Sequence, residues 1–228
     1  MKHLTVGFGE VGNAINAIVG GFIQDAQMGQ EYSGECDIMH ICFPYSDTFV
    51  ESLRMYKDKY KPDLIIVHST VPVGTCDALG VIHSPINGKH PDLLQGIMTF
   101  TKYFGGKNAK KGAEIFEECG IKTKVVAKAR DTEAMKLIST TYYGLNIMIE
   151  KEIHAWCKRN KLDFNVVYTE SNEDYNRSYT EMESPEFVRP NLKHTEGAIG
   201  GHCIIPNLYL LKDFELGELL KKKDETFR

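Results

Sequence analysis

Three glycines near the start of the chain limit its possible folds more than any other feature. In "TVGFGEVGNAINAIV", Gly7, Gly9 and Gly12 form GxGxxG directly behind the apolar run "HLTV" and ahead of a helix-like run. In that context the first glycine permits a tight turn and the second lets backbone approach a pyrophosphate. The third lets the helix pack closely on the strand. Phe8, Glu10 and Val11 complete a loop whose backbone N–H groups, with the positive end of the helix dipole, suit phosphate oxygens. Asp25 ends the next apolar run, 18 residues after Gly7, close to the spacing of the acid that holds ribose hydroxyls. Gly20 and Gly21 end the first helix early enough for this. A carboxylate at that place repels a 2'-phosphate, so the expected cofactor is NAD. A purely structural glycine turn is the alternative.

The rhythm that follows agrees with a dinucleotide-binding unit. Up to about Ala127, the short apolar runs "HLTV", "FIQD", "CDIMHICF", "DLIIVH", "GVIH", "KYFGG" and "TKVV" alternate with helix-like segments. This predicts an α/β fold, a Rossmann-like doubly wound and mainly parallel sheet over residues 1–128. "DIMHICF" and "DLIIVH" are apolar nearly throughout, as strands covered on both faces are. Over residues 129–228 the period changes. Ala134, Ile138, Thr141 or Tyr142, Leu145, Ile149, Ile153 and Trp156 recur every three or four residues, with Asp131 as N-cap. One long helix is expected from 131 to 158, roughly 40 Å at 1.5 Å per residue. A helix of that length outspans a small domain's core, so a homodimer through one of its faces is expected. Residues 170–196 are polar and lack periodic apolar positions, which predicts a long excursion or lid.

Composition excludes several classes. The formal charge of −4 is spread along the chain, and Asp224 and Glu225 dilute the dense basic run Lys221–Lys223, so no nucleic acid is expected as a partner. No apolar run reaches membrane-spanning length, and no signal-peptide pattern precedes "KHLTVGFG". The six cysteines show no CxxC pair, which fits reduced thiols and a cytoplasmic protein. His83, His90 and His194 lack metal-ligand spacing, and no metal is expected.

Three more stretches occur in an order that carries a resemblance. "HICFPYSD" ends a strand with Pro44, "HSTVPVGT" holds Ser69, Thr70 and Thr75, and "GAIGGHCIIPNLYLL" holds Cys203. Together with "EAMKLISTTYYGLNIMIEKEI", they make nearly the whole chain similar to the UDP-glucose/GDP-mannose dehydrogenase family, the nucleotide-sugar dehydrogenases. The GGHCI form resembles the branch acting on N-acetylmannosamine sugars. The resemblance implies a helical central and dimerisation domain after the Rossmann-like one. It also implies a shortened member lacking the family's C-terminal UDP-binding domain, since the sequence ends at Arg228. Pro44, Ser69, Thr70 and Thr75 would then lie beside the cofactor. The implied reaction is NAD-dependent oxidation of a sugar-type primary alcohol, held midway as a thiohemiacetal on Cys203, with a sugar or sugar nucleotide as substrate.

The family's helix lysine corresponds to Lys136, its asparagine position to Thr140 and its aspartate position to Asn207. An amide is no general base at neutral pH. The family's Pro-Glu loop falls in "HSPINGKHPD", where Ile86 and Asn87 follow Pro85 and His90 is the candidate counterpart of the acid. Its unperturbed pKa near 6.5 suits base chemistry. The bland readings stay open: Cys203 as a packed thiol, Lys136 as a solvated lysine, His202 as a neighbour of Cys203 without a catalytic tie. So do two other functions, a dinucleotide-binding protein without turnover and a two-electron reductase resembling the hydroxyacid dehydrogenases.

Overall fold

All seven apolar runs become strands. In the computed structural model, which describes residues 1–200 and 203–227, they are β1 (His3–Val6), β2 (Phe22–Gln24), β3 (Ile38–Ile41), β4 (Leu64–Val67), β5 (Ile82–His83), β6 (Lys102–Gly105) and β7 (Thr123–Val126). They form one sheet in the order β2-β1-β3-β4-β5-β6-β7. Every pairing is parallel except β5 with β6. The chain reverses its lateral direction between β1 and β3, and such a switch point, at the carboxyl ends of the strands, is where open α/β sheets bind ligands.

The central strands β1, β3, β4 and β5 are buried on both faces because their alternate side chains enter two cores. Ile38, Ile66, Ile82 and Phe104 pack on one face against Ala14 and Ile15 of α1 (Glu10–Val19) and Ala113 and Phe116 of α5 (Ala109–Glu118). Leu4, Met39, Ile65 and Val67 pack on the other, against Phe49, Leu53 and Tyr60 of α2 (Phe49–Tyr60) and Cys76 of α3 (Thr75–Leu79). A short α4 (Leu93–Thr99) precedes β6.

The long helix is α6 (Ala129–Asn160), 32 residues. It starts two residues before the predicted Asp131 N-cap, because its cap comes from elsewhere in the chain: Asp77 Oδ1 accepts from Ala129 N at 2.9 Å and Oδ2 from Arg130 N at 3.3 Å. Asp131 lies instead in the first turn. The contacts divide the chain within this helix, into Met1–Lys136 and Leu137–Arg228.

The predicted excursion at 170–196 is corrected by the structure. Asn165–Glu170 is a π-helical stretch that runs into α7 (Ser171–Glu181), and Pro185–Phe187 is a 3-10 turn. The segment hides its helical character because few of its positions are apolar. Aromatic contacts hold it: Tyr175 with Tyr179, Tyr179 with Phe187, and the Arg189 guanidinium 3.4 Å above the Tyr175 ring. Two further helices, α8 (Ile204–Leu210) and α9 (Glu215–Thr226), supply Ile204, Leu208 and Leu220 to this unit's core. They approach α6 at Gly144, where a Cβ would stand 2.7 Å from both Ile204 and Leu220.

Candidate functional site

The glycine loop leaves β1 at the switch point, and its three glycines differ in what surrounds them. Gly7 has φ +87°, and a Cβ there would meet Phe43 N at 2.7 Å. A Cβ at Gly12 would sit 1.9 Å from Gly7 O, so the third glycine closes the helix onto the loop. At Gly9 nothing lies within 4 Å of a Cβ. Gly9 is also the N-cap of α1 and brings no side chain to its first amides. The loop is therefore closed by packing at its ends and open in its middle, which fits the residues to a pyrophosphate.

Asp25 lies one residue beyond β2. Its Oδ2 accepts from Phe8 N at 2.6 Å, and Oδ1 accepts from Gln27 N and Met28 N at 2.9 and 3.1 Å. The Phe8 amide chiefly holds the carboxyl below its ordinary range. The predicted acid and loop are thus brought together. Glu10, the first residue of α1, meets the ring Nδ1 of His90 rather than standing alone at the helix end. Ser69 Oγ donates to Phe43 O at 2.6 Å, tying the segment after β4 to the residue before Pro44. Pro44 is exposed and Thr70 half-buried. Thr75 Oγ1 donates to Pro72 O at 2.7 Å.

The loop after β4 is shaped by a residue the sequence reading missed. Glu133, wholly buried in the first turns of α6, accepts from Gly74 N at 2.5 Å and Cys76 N at 2.7 Å. Burial pushes its pKa up against those bonds. Lys136, one turn on, donates from Nζ to Ile86 O at 2.7 Å and is half-buried, not solvated.

In the second unit, Cys203 is the half-buried N-cap residue of α8, and Asn207 N donates to its carbonyl at 3.3 Å. Asn207 Nδ2 donates to Thr140 Oγ1 at 3.2 Å, and that hydroxyl donates to Leu137 O at 3.0 Å. The two positions matched to the family's amide and carboxylate are therefore hydrogen-bonded to each other as an uncharged pair. The segment leading to Cys203 is fastened to α6. His194 Nδ1 contacts buried Glu150 at 2.7 Å, and Lys151 Nζ donates to Thr195 O and, at 2.8 Å, to Gly197 O. Glu150 and Lys151 gave no sequence signal because their partners lie about 45 residues away. His202 lies outside the described residues. Among the described residues no group of three or more His, Cys, Asp or Glu is placed to hold a metal, and no helix is long and apolar enough to cross a membrane.

A switch-point glycine loop with its acid, followed by a helical unit, defines a Rossmann-type α/β chain. No family profile matches the sequence. The chain is 27% identical over 184 residues to UDP-N-acetyl-D-mannosamine dehydrogenase of Methanocaldococcus jannaschii, a stretch covering 75% of this chain and 40% of that protein. The similarity is thus to a nucleotide-sugar dehydrogenase. The chain spans well under half the length of that curated relative.

Solved structures share the fold. The UDP-D-ManNAc dehydrogenase of Pyrococcus horikoshii superposes with a TM-score of 0.73 at 16% identity, over all of this chain and 69% of that one. The 3-hydroxyisobutyrate dehydrogenase of Mycobacterium tuberculosis superposes with a TM-score of 0.66 at 15% identity, over 99% of this chain and 93% of that one.

Proposed function

We propose that the protein is an NAD-dependent dehydrogenase of the nucleotide-sugar type. The observation that carries this is the glycine loop, closed at Gly7 and Gly12, open at Gly9 and braced by Asp25 through Phe8 N. The remaining acceptor capacity of the Asp25 carboxylate serves a ribose hydroxyl, and the amides at the start of α1 serve the pyrophosphate. Pro44, Ser69, Thr70 and Thr75 follow the neighbouring strands β3 and β4 and line the same carboxyl edge. A bound NAD would supply the hydride acceptor, one NAD for each of two successive oxidations.

The chain's own residues take the other tasks. Cys203, as thiolate, adds to the aldehyde carbon and holds it as a thiohemiacetal, whose oxidation gives a thioester that water cleaves to the carboxylate and free thiol. Lys136 takes the family lysine's place as the cation for a developing oxyanion. Thr140 and Asn207 supply a hydroxyl and an amide where the family has an amide and a carboxylate, so neither takes a proton from water. His90 is the base available for that step, with Glu10 orienting its ring. The substrate class is a sugar or sugar nucleotide with a primary alcohol, UDP-N-acetylmannosamine being the one named by the curated relative. We also assign a homodimer to α6, on which Ile138, Tyr142, Ile149 and Trp156 share one stripe and are 40–62% exposed.

The test is NADH formation from UDP-N-acetylmannosamine, with NAD binding measured in parallel for wild type and Cys203→Ala. Saturable NAD binding with turnover that Cys203→Ala abolishes supports the reading. Absence of NAD binding removes its basis. Equal NAD binding in both forms, with turnover in neither, turns it into a nucleotide-binding protein.

A further inference from the structure

The face of the sheet that carries α1 and α5 holds a row of basic side chains the proposed reaction does not use. His3 Nδ1 lies 3.0 Å from His40 Nε2, and His40 Nδ1 lies 3.1 Å from His68 Nε2. His68 Nδ1 lies 2.9 Å from Ser84 O and 3.3 Å from Lys102 Nζ, which also donates to Ser84 O and Pro85 O. His40, His68 and Lys102 are at most 4% exposed, and His3 is 9% exposed.

The register explains the row. His3 pairs with Ile38, and His40 is two residues further along β3. His40 pairs with Ile66, and His68 is two residues further along that strand. Steps of two keep every side chain on one face. The row therefore climbs diagonally from the amino end of β1 to Lys102, at the start of β6, which runs antiparallel to β5, and hence at the carboxyl edge of β5 and the strands parallel to it.

An N···N contact between two neutral imidazoles needs a donor on one ring and an acceptor on the other. Once one tautomer is set, all three are set. His83, on the opposite face, provides the contrast: its Nε2 must donate to Ser69 O at 3.2 Å, which pins its tautomer to a backbone carbonyl. In the ladder the corresponding carbonyl is contested: Ser84 O, 2.9 Å from His68 Nδ1, accepts from it when Lys102 is neutral, whereas Lys102 Nζ, 3.3 Å from the same nitrogen, donates to it as an ammonium. Its ring planes lie within 12° of parallel, and Phe116 packs edge-on against His40 and His68.

We propose that His3, His40, His68 and Lys102 form a buried, reversible one-proton relay linking the solvent at the amino edge of the sheet to its carboxyl edge. With Lys102 as ammonium, Nζ–H donates to His68 Nδ1, and all three rings carry their proton on Nε2. When Lys102 gives that proton to His68 Nδ1, His68 passes its Nε2 proton to His40 Nδ1, and His40 passes its own to His3 Nδ1. His3 then releases its Nε2 proton to solvent. Lys102 ends as a neutral amine and every ring as the Nδ1–H tautomer. One proton has left the lysine end, one has emerged at His3, and no ring has become charged.

The surroundings favour this exchange. Burial pushes the Lys102 ammonium down to about 7, with Cys42 opposing and Lys136 reinforcing the fall, and Lys102 forms no salt bridge among the described residues. Burial also pushes His40 down to about 3 and His68 well below its ordinary value, which keeps both rings neutral. The other titratable groups acting on the row are His83 beside His68, and Asp37 and the N-terminal amine beside His3. The proposal is independent of the dehydrogenase reading.

Ring-nitrogen NMR of the full chain, labelled at histidine, tests it without any ligand. From about pH 6 to about pH 8.5, the ladder histidines are expected to change from Nε2–H to Nδ1–H with one shared midpoint, while His83 stays Nε2–H. In Lys102→Met the ladder is expected to stay Nδ1–H throughout, donating to Ser84 O. In His40→Phe the His68 Nε2 proton has no acceptor, so neither His68 nor His3 should follow the lysine. Tautomers that do not change in the wild type, separate midpoints, or an unaltered change in Lys102→Met would each overturn the relay. The wild-type series alone decides the matter if a variant does not fold.

Discussion

Asp77 and Glu133 cap each other's helices. Asp77, in the first turn of α3, accepts from the first two amides of α6, and Glu133, in α6, accepts from Gly74 N and Cys76 N at the start of α3. Asp77→Ala is expected to cost about 0.5–2 kcal/mol, the value of a lost cap. Glu133→Ala leaves two amide donors in a buried place and is expected to cost about 1–3 kcal/mol. Urea denaturation of the two variants measures both. A Glu133→Ala variant as stable as wild type would show that the loop finds other acceptors.

Gly9 and Gly12 separate binding from folding. An alanine methyl at Gly12 overlaps Gly7 O, so Gly12→Ala is expected to lose about 1–3 kcal/mol of stability. At Gly9 a methyl enters open space, so Gly9→Ala should melt near the wild-type temperature. Its NAD affinity should fall by about tenfold or more, which is about 1.4 kcal/mol. Calorimetric titration and thermal melts of the pair check this, and an unchanged NAD affinity in Gly9→Ala would place the cofactor elsewhere.

Asp25 predicts the acid limb of the stability profile. Its folded pKa is lowered, first by the Phe8 amide, so its contribution is present in full above the unfolded value of about 3.9 and is lost as pH falls through the lower folded value. Glu133 acts in the opposite sense: its raised pKa means protonation favours the fold, and that contribution is lost as pH rises through the folded value. Asp25→Asn should therefore flatten the loss of stability between about pH 4 and about pH 2, read as a slope rather than as an absolute value.

Asn207→Asp returns a carboxylate one turn from Cys203. The Thr140 hydroxyl, now accepting from the amide, would turn to donate to the new oxygen, so the fold should hold. On the proposed mechanism the variant should cleave thioester faster, by about tenfold to a hundredfold, within the range of a positioned base. Burst kinetics of NADH formation report it. A slower second step would mean that the uncharged pair is the working arrangement.

The exposed stripe on α6 predicts the assembly. Trp156→Asp and Ile149→Asp each put a charge into an apolar contact, and light scattering should show half the wild-type mass for either variant. A wild-type mass equal to that of one chain would remove the dimer.

Much of the sheet was legible because its strands are short, apolar and separated by turn residues. The family motifs singled out Thr140 and Asn207 separately, and the fold joined them. The start of α6 was misplaced because Asp131 and Glu133 look like a local cap and first-turn acid. The real cap, Asp77, lies 52 residues before the amide it serves at Ala129, a separation at which local pattern carries no signal. The histidine ladder was hidden for a related reason. His3, His40 and His68 each read as one polar residue in an apolar run, and only the strand register places them in contact.

The exchange of caps between α3 and α6 also bears on how the protein is made. The sheet's last strand ends at Val126, yet the amides of Gly74 and Cys76 lack their folded-state acceptor until Glu133 has been synthesised. A growing chain therefore finishes the strands before it can lock the loop between β4 and α3. The opening turns of the long helix act as the latch that ends assembly of the first unit.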